Sequence, residues 1–516
     1  MKRLLTVLAL AAVLALAAIP ASAKTLRLAV DADPVSLDPH VQLSGGMMQY
    51  SHLVFDPLVR WNQEMGFDPR LATKWERLDD KTMRFHLRKG VKFHSGNEFT
   101  AKDVAWTLDR LKKSIDYKGL FEVFEPAIVV DDYTVDLKTK VPYPLLINMA
   151  TYIFPLDSKF YTGEDENGQD KAMIGKSVPS FANDHASGTG PFIVAEREQG
   201  VKMIFKDNPN YWASHGNITE IDMRPIKNEA TRVASVLSGD VDFIMPVPPQ
   251  DYDRLDAAEN VDLITMPGTR IIMLQMNQKR NPAFANPKVR EAVVYATNNV
   301  GIVKKILKGR GTAAAQQGPK GYQGYVADLQ PRYDLKKAKA LMKEAGYPNG
   351  FEATMIAPNN RYVKDEQIAQ AFVSMMARIG IKVNLKTMPK AQYWDQFDAR
   401  AADIQMVGWH SDTEDSANFT EYLAACPDPK TGAGQYNSNE YCNPKVDELV
   451  KLANSETNIE KRKAQLQEIE RILNAEAVFV PLHWQDLSWA GSKQLKNAHD
   501  IVNVMNFPYF GDLVMN

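Results

Sequence analysis

Alternating apolar and polar residues predict β-strands at several places along the chain. The segment TLRLAV (Thr25–Val30) is the first of these. A longer segment covers residues 82–96, and its apolar positions share one face because side chains alternate along a strand. Those positions are Met83, Phe85, Leu87, Val91 and Phe93. Lys89-Gly90 interrupts the alternation with a turn, which predicts a hairpin with one buried face.

Apolar residues at helical spacing, followed by a glycine and an alternating stretch, form a unit that recurs. The three examples are Ser235–Met245, Asp334–Ala357 and Gln367–Thr387. In the third, Gly380 separates a helix from a strand. The apolar stripe of that helix is Ile368, Phe372, Met376 and Ile379. The alternation of helices and strands indicates an α/β protein.

The chain is too long for a single hydrophobic core. It has 516 residues, and since domains usually hold about 100–200 residues, two or three are expected. The composition, 45% apolar and 24% charged, is that of a soluble globular protein. Lys and Arg number 61 against 63 Asp and Glu, a formal net charge of −2. This balance argues against a nucleic-acid-binding protein, which normally has a basic surface.

The first 23 residues have the pattern of a secretory signal peptide. Lys2 and Arg3 precede the apolar run Leu4–Ile19, and Ala21-Ser22-Ala23 has the A-x-A form of a cleavage site. The run is shorter than the ~20 residues that span a bilayer. We predict cleavage after Ala23, which places the mature protein in the periplasm with no direct membrane anchor.

Cys426 and Cys442 are the only cysteines of the sequence. Their short separation and the oxidising compartment favour a disulfide bond. The alternative is a pair of separate buried thiols. Two cysteines without a nearby pair of histidines make a poor zinc site.

Candidate chemistry is concentrated in GWHSDTEDSANF (Gly408–Phe419). His410, Ser411 and Asp412 are consecutive, and side chains of consecutive residues on an extended segment point apart, so they cannot form a catalytic triad. The sequence has no complete phosphate loop, no nucleophile elbow and no H-E-x-x-H or calcium-loop motif. We therefore predict no catalytic residue, no metal site and no cofactor.

Three long blocks carry a specific pattern. Leu71–Arg110 contains F-x-L-R-x-G-V-x-F-x-x-G followed by T-A-x-D-V, and the other two blocks are Ser187–Trp212 and Asn286–Asn299. In these blocks, which with the opening stretch cover most of the mature chain, the sequence resembles the solute-binding proteins of ABC importers. Within the peptide, opine and nickel class of that family, it is most similar to the dipeptide- and oligopeptide-binding proteins.

The resemblance implies an α/β periplasmic-binding-protein fold of type II, in its large three-lobed class. Two domains would be joined by a two-strand hinge, with the ligand cleft between them. Domain I would comprise residues 24–269 and 487–516, with a family-specific extra lobe at 59–179. Domain II would comprise residues 270–486.

The resemblance also assigns a role to the acidic segment. In peptide-binding members, an aspartate three residues after a Gly-Trp pair holds the α-ammonium of the ligand; here the pair is Gly408-Trp409 and the aspartate is Asp412. Such a charge-assisted hydrogen bond contributes about 1.5–3 kcal/mol. A turn or helix-cap role is the alternative for Asp412, and core packing is the alternative to cleft lining for Trp409. Glu414 and Asp415 are expected to be turn formers or surface charges.

Further ligand contacts follow from the same resemblance. Arg361, just before a predicted helix, would take the peptide carboxylate, because a guanidinium matches a carboxylate in shape and charge. Oligopeptide binders carry an arginine where this chain has Met406, and Arg400 could supply that charge instead. Ser44 and Gly45 would approach the cleft from domain I, where glycine allows close backbone approach.

These features predict a periplasmic receptor that closes on a short peptide and delivers it to an inner-membrane ABC permease, acting as a monomer. Two alternatives stay open: the same fold binding an opine, a metal chelate or a small organic acid, and a secreted hydrolase. Dipeptide binders also carry a cysteine pair near the positions of Cys426 and Cys442, which supports the disulfide.

Overall fold

A computed structural model describes residues 24–176 and 178–516 of the chain. The predicted signal peptide, residues 1–23, lies outside the described residues. Within the described ranges, no helix combines the length and the apolar character that a membrane span requires.

The β-strands are β1 (Thr25–Val30), β2 (Val59–Trp61), β3 (Phe67–Pro69), β4 (Ala72–Asp79), β5 (Thr82–Leu87), β6 (Ile128–Asp131), β7 (Thr134–Lys138), β8 (Phe192–Glu198), β9 (Lys202–Asp207), β10 (Glu220–Pro225), β11 (Phe243–Met245), β12 (Val261–Met266), β13 (Ile271–Met276), β14 (Thr312–Ala313), β15 (Glu352–Pro358), β16 (Lys382–Met388), β17 (Ile404–Trp409), β18 (Phe479–Trp484) and β19 (Leu487–Ser492).

The α-helices are α1 (Gly45–Val54), α2 (Ala101–Leu111), α3 (Lys118–Phe121), α4 (Leu146–Ala150), α5 (Phe181–Asp184), α6 (Glu229–Ser238), α7 (Tyr252–Asp256), α8 (Pro282–Ala285), α9 (Pro287–Ala296), α10 (Asn299–Lys305), α11 (Leu335–Glu344), α12 (Asp365–Ala377), α13 (Lys390–Asp398), α14 (Ser416–Leu423), α15 (Pro444–Ala453) and α16 (Ile459–Ala475).

Two large mixed sheets organise these elements. One has seven strands in the order β12-β19-β11-β1-β10-β9-β8, and the other has six in the order β14-β18-β13-β17-β15-β16. A four-stranded sheet, β4-β5-β7-β6, and the pair β2-β3 are formed by residues 59–138. We call the elements around the seven- and four-stranded sheets the first lobe, and those from β13 to β18 the second lobe.

The chain passes between the two large sheets twice. It leaves the seven-stranded sheet after Met266 and enters the six-stranded sheet at Ile271, and it returns between Trp484 and Leu487. The two passages run side by side, since the Gln485 N–H donates to the Arg270 carbonyl oxygen at 2.9 Å. They approach so closely that a Cβ atom on Gly268 would lie 2.4 Å from the Gln485 carbonyl oxygen.

Strand periodicity explains how the six-stranded sheet is buried on both faces. In β13, Ile272, Leu274 and Met276 pack into one core, whereas Ile271 and Met273 pack into the core on the opposite face. Successive side chains of a strand point to opposite faces, so a strand without polar alternation must be covered on both sides. The run IIMLQM therefore becomes a central strand.

The helix-glycine-strand units predicted from periodicity are confirmed. α6, α11 and α12 are each followed by a strand, β11, β15 and β16. The predicted stripe of α12 is buried, and Gly380 adopts φ +84°, a left-handed conformation that suits a helix end.

The predicted hairpin at residues 82–96 is wrong in its pairing. Met83, Phe85 and Leu87 are buried as expected, but β5 pairs with β4 and β7, not with residues 91–93. Val91 and Phe93 are buried outside a regular strand, and the Phe93 N–H donates to the Asn97 carbonyl oxygen. Alternation identified the buried positions correctly, but it carries no information on which strand will be the partner.

The predicted disulfide is confirmed: Cys426 and Cys442 are bonded, with an S–S distance of 2.01 Å. The bond joins the segment after α14 to the residue before the N-cap of α15. It therefore fixes a loop beside the core of the second lobe.

Replacing both cysteines with serine should lower the free energy of unfolding by about 3 kcal/mol, because the cross-link restricts the unfolded chain over a loop of roughly 15 residues. Urea denaturation measures the effect. A reductant should destabilise the wild-type protein by the same amount and leave the double variant unchanged. Equal stability of the two proteins would contradict the prediction.

Candidate ligand cleft

The end of β17 and the loop after it hold the acidic segment singled out in the sequence. Gly408 and Trp409 are the last residues of the strand, and Asp412 lies in the following turn with an exposed side chain. Gly408 is required there because a Cβ atom would lie 2.5 Å from the Tyr362 ring. The strand therefore delivers the loop to the edge of the sheet, next to the passages between the lobes.

Trp409 is half-buried and acts mainly as a packing residue of this loop. Its ring lies 5.4 Å from that of Tyr422 and 4.9 Å from that of Tyr436. Its indole N–H donates to the Asn418 Oδ1 atom at 2.8 Å. The core-packing alternative thus describes these contacts of Trp409.

Asp412 combines exposure with partial removal from water. Desolvation raises the pKa of its carboxyl group, and the positive charge of Arg270 opposes that rise. The Asp412 carbonyl oxygen accepts a hydrogen bond from the Tyr152 hydroxyl of the first lobe at 2.8 Å. One residue further on, the Thr413 carbonyl oxygen accepts from the Asn148 side-chain amide, also at 2.8 Å. The first lobe therefore holds the backbone of the loop and leaves the Asp412 carboxylate available.

Glu414 has the turn role expected from the sequence, with φ +50° and its N–H donating to the Ser411 carbonyl oxygen, but it is not a surface charge. It is only 5% exposed, and the Tyr322 hydroxyl donates a hydrogen bond to its carboxyl group. Desolvation is the main cause that raises the pKa of Glu414 to about 8. At neutral pH the side chain is therefore mostly protonated, since an ionised carboxylate would be costly in this position.

His410 completes this buried group. Its Nδ1 atom lies 2.9 Å from the Thr269 hydroxyl, and its Nε2 atom lies 3.3 Å from Glu414 Oε1. Burial, together with the nearby Arg270 charge, lowers the pKa of His410 to about 3. His410 and Glu414 are therefore both uncharged at neutral pH, and their contact is not an ion pair.

Asp415 is also buried, so of its two expected roles, turn former or surface charge, the second is excluded. It caps α14 by accepting from the Ala417 N–H at 2.9 Å. Its carboxylate forms a bidentate ion pair with Arg462, at 2.6 and 2.7 Å. Both side chains are almost fully buried. Asp415 therefore fixes the loop to α16. Both of its carboxylate oxygens already accept hydrogen bonds within the protein.

Arg270 is the functional candidate that the sequence reasoning missed. It stands immediately before β13, on the first passage between the lobes, and is half-buried. Its Nη1 atom lies 3.4 Å from the Gly408 carbonyl oxygen. Burial lowers the pKa of Arg270, the Arg361 charge lowers it further, and Asp412 opposes both. The sequence did offer one signal for Arg270: it is a charged residue directly before the apolar run Ile271–Met276, on the passage between the lobes.

Arg361 is exposed and lines a cavity of about 630 Å³ between the lobes. The second lobe contributes residues 359–367 to this cavity, and the first lobe contributes residues 246–250 and Tyr252. The Arg361 guanidinium lies 5.1 Å from the centre of the Tyr362 ring. The Arg361 charge lowers the pKa of Arg270, so the two guanidinium groups lie close to each other.

The remaining predicted contacts divide into two groups. Ser44 caps α1, and Gly45 has open space where a Cβ atom would lie, so the backbone there is accessible. Met406 is fully buried in the core of the second lobe. Arg400 pairs with Glu440 beyond the opposite end of β17, near Ile404. Met406 is therefore enclosed in the core and Arg400 is paired with Glu440, so the structure does not favour either residue as a ligand contact.

Comparison with known proteins agrees with this architecture. A family model described as "Bacterial extracellular solute-binding proteins, family 5 Middle" matches residues 66–430. The chain belongs to this family. Its members are binding proteins, and the expected family resemblance and α/β solute-binding fold are both confirmed.

Individual relatives cover nearly the whole chain. The dipeptide-binding protein of Escherichia coli (strain K12) is 29% identical over 495 residues, 88% of each chain. Heme-binding protein A of Haemophilus influenzae is 28% identical over 477 residues, 87% of this chain and 85% of that protein. The periplasmic binding protein DppA of Helicobacter pylori, solved with the peptide STSA, superposes with a TM-score of 0.69 at 25% identity, over 95% of this chain and 98% of that one.

Glu414→Gln should flatten the pH dependence of stability between pH 5 and 8. In the folded protein the pKa of Glu414 is about 8, against an ordinary value of 4.5. The folded state therefore keeps a proton that the unfolded chain releases above pH 4.5. This group's contribution is complete below pH 4.5 and is lost as pH rises towards 8, by up to about 1.4 kcal/mol per pH unit.

Urea denaturation at pH 5, 6, 7 and 8 measures this slope. The glutamine variant keeps the neutral shape of the side chain and should lose less stability than the wild type over that interval. Glu259→Gln, at an exposed position, is the matched control and should follow the wild type. Parallel curves for wild type and Glu414→Gln would contradict an uncharged Glu414.

Proposed function

We propose that this protein is a periplasmic receptor of an ABC importer, which captures a short peptide between its lobes and delivers it to an inner-membrane permease. The observation that carries the proposal is the position of Asp412. Its carboxylate is available at the junction of the two lobes, on a loop whose backbone both lobes hold.

The proposed domains follow the two passages between the sheets. Domain I comprises residues 24–269 and 487–516, with residues 59–179 as an extra lobe, and domain II comprises residues 270–486. Rotation about the side-by-side passages opens and closes the cleft, because few backbone dihedrals need to change there. The Arg270–Gln485 hydrogen bond supports a pair of connections that move together.

The proposed anchors bind the two charges that every peptide has. Asp412 accepts the α-ammonium group, and Arg361 binds the terminal carboxylate. Both groups belong to the second lobe, so a peptide docks there first and closure of the first lobe covers it. Ser44 and Gly45 approach the cleft from the first lobe. Gly408 and Trp409 lie at the end of β17 and pack against the loop that carries Asp412.

The same fold could bind a solute that is not a peptide, and the family contains such a case by name, the heme-binding protein of Haemophilus influenzae. Asp412 favours a peptide, because a buried or partly buried carboxylate without a cationic partner costs free energy. The further proposals are that residues 1–23 direct export to the periplasm, that the mature protein is a monomer, and that it binds without turnover.

Asp412→Asn should weaken binding of Ala-Ala at least tenfold, about 1.4 kcal/mol, because it removes the negative partner of the ammonium group. Isothermal titration calorimetry at pH 7 measures the affinity. Asp398→Asn, at the exposed end of α13, is the control and should bind like the wild type. Equal affinities for Asp412→Asn and wild type would contradict Asp412 as the ammonium anchor, and no binding of Ala-Ala by the wild type would favour a non-peptide solute.

Tyr152→Phe should lower peptide affinity about threefold to tenfold, because the lost hydrogen bond joins the first lobe to the Asp412 loop and contributes about 1 kcal/mol. Tyr50→Phe is the matched control, since the Tyr50 hydroxyl donates at 2.9 Å to the Leu37 carbonyl oxygen inside the first lobe. That control should lose stability in thermal unfolding but keep its affinity. The reverse pattern would refute a role for Tyr152 in closure.

A further inference from the structure

A second cavity lies between the lobes and borders the acidic loop. Its volume is about 450 Å³, within the range of about 300–1,000 Å³ that small-molecule sites occupy. The first lobe lines it with residues from 61–83 and 144–148, and the second lobe with residues from 321–323 and 457–462. Glu414 and Asp415 also line it, so the loop that carries Asp412 forms part of its wall.

The lobes contact each other at several points around this cavity. Asn148, one of its lining residues, holds the backbone of the acidic loop. Thr457 lines the cavity from the second lobe, and its hydroxyl donates a hydrogen bond to the Asp80 carboxylate of the first lobe. Met65 packs so closely on Gly321 that a Cβ atom there would lie 2.7 Å from the Met65 Cγ atom. The walls belong to both lobes, so closure of the lobes completes the cavity.

Much of the wall is apolar and incompletely covered. Trp61, Phe67 and Trp75 come from the first lobe, and Ile459 comes from the second. The Trp61 and Phe67 rings have their centres 4.4 Å apart and form one aromatic surface. Phe67 and Trp75 are only half-buried, and Ile459 is 63% exposed. A ligand group that covers these side chains removes apolar surface from water, which favours binding.

The charged groups of the wall leave no net charge. Asp415 is bound by Arg462, and Glu414 is mostly protonated at neutral pH. Glu76 is exposed to solvent, and the Arg77 Nη2 atom donates to two backbone carbonyl oxygens, at 3.2 and 3.4 Å. Two arginines thus match two ionised carboxylates. A charged ligand group would enter this cavity without a counterion, at a cost in free energy.

The neutral polar residues of the wall are already engaged as well. Asn148 and Thr457 bind the opposite lobe, and the Gln323 side-chain oxygen accepts from Arg462 at 2.9 Å. A polar ligand group would therefore lose its bound water and gain few hydrogen bonds in return.

We propose that this cavity receives an aromatic or large aliphatic side chain of the bound peptide, so that the protein selects apolar peptides. This inference rests on the proposed function. Asp412 does not line the cavity, but it lies two residues before Glu414, which does. Two residues span at most about 7 Å, and a tripeptide is longer than that. A peptide with its ammonium group at Asp412 therefore extends far enough to place a side chain in the cavity.

An aromatic side chain suits this wall better than an aliphatic one. Aromatic rings prefer offset or edge-to-face contacts, with ring centres about 4.5–7 Å apart. The wall offers the rings of Trp61, Phe67 and Trp75 for such contacts. Met65 and Met83 add thioether groups, which also contact rings favourably. The charged ends of the peptide thus provide binding that is independent of sequence, and the cavity provides the preference for one class of side chain.

Tripeptides test the inference at pH 7, with affinities from isothermal titration calorimetry of the purified protein. At each position of trialanine in turn, alanine is replaced by phenylalanine or by glutamine, which is polar and uncharged. At one position at least, the phenylalanine peptide should bind ten times more tightly than its glutamine counterpart, because only phenylalanine gains from burial in an apolar wall.

Two variants, one from each lobe, connect this preference with the cavity. Trp75→Ala and Ile459→Asn should each lower the phenylalanine-to-glutamine affinity ratio at least threefold and change the affinity for trialanine less than twofold. Leu78→Ala and Leu452→Asn are the matched controls and should keep the wild-type ratio, since both leucines are exposed and neither lines the cavity. The ratio is measured within each protein, so a general loss of stability does not imitate the effect.

The possible failures are distinguishable. Equal binding of the phenylalanine and glutamine peptides at all three positions would overturn the inference and leave the proposed function intact. A preference that survives in both Trp75→Ala and Ile459→Asn would overturn the assignment to this cavity. Binding of no tripeptide would overturn the peptide function. So would N-acetyl-phenylalaninamide, which lacks both charged ends, if it bound as tightly as the phenylalanine tripeptide, although the apolar character of the cavity would then stand.

Discussion

The close approach of the two passages between the lobes determines where Arg270 and the Asp412 loop lie. The hydrogen bond from the Gln485 N–H to the Arg270 carbonyl oxygen keeps these segments adjacent, and the missing side chain of Gly268 gives them room. β13 and β18 continue from them as neighbours in one sheet. Since β17 pairs with β13 on its other side, the end of β17 and its acidic loop must emerge beside the hinge.

Burial then assigns different chemistry to carboxylates that are neighbours in sequence. Asp412 faces the junction and keeps its charge available, whereas Glu414 is enclosed and protonated and Asp415 is neutralised by Arg462. An enclosed carboxylate is stable only when it is protonated or paired, because the protein interior solvates charge poorly. The loop therefore carries one exposed charge, at Asp412, between a protonated carboxyl group and one that is paired with an arginine.

The slightly negative net charge of the whole chain does not predict which charged groups lie at the junction of the lobes. Net charge describes the solvated surface, and it says nothing about the few groups that line a junction between lobes. Arg270 and Arg361 lack carboxylate partners in the described part of the chain, while many exposed lysines and arginines have them. Charged side chains without ion-pair partners at the junction of two lobes are candidates for ligand contacts.

The sequence by itself determined the local elements, the buried stripes and the family pattern, because strand and helix periods and cap residues act over a few neighbouring positions. α12 with Gly380 and the buried positions Met83, Phe85 and Leu87 are examples. Only the tertiary structure decided that β5 pairs with β7, that Met406 is enclosed in the core, that Glu414 is buried, and that Arg270 lies beside Gly408 at the end of β17. These features depend on contacts between residues far apart in the chain, and the desolvation that sets their charge exists only after those contacts have formed.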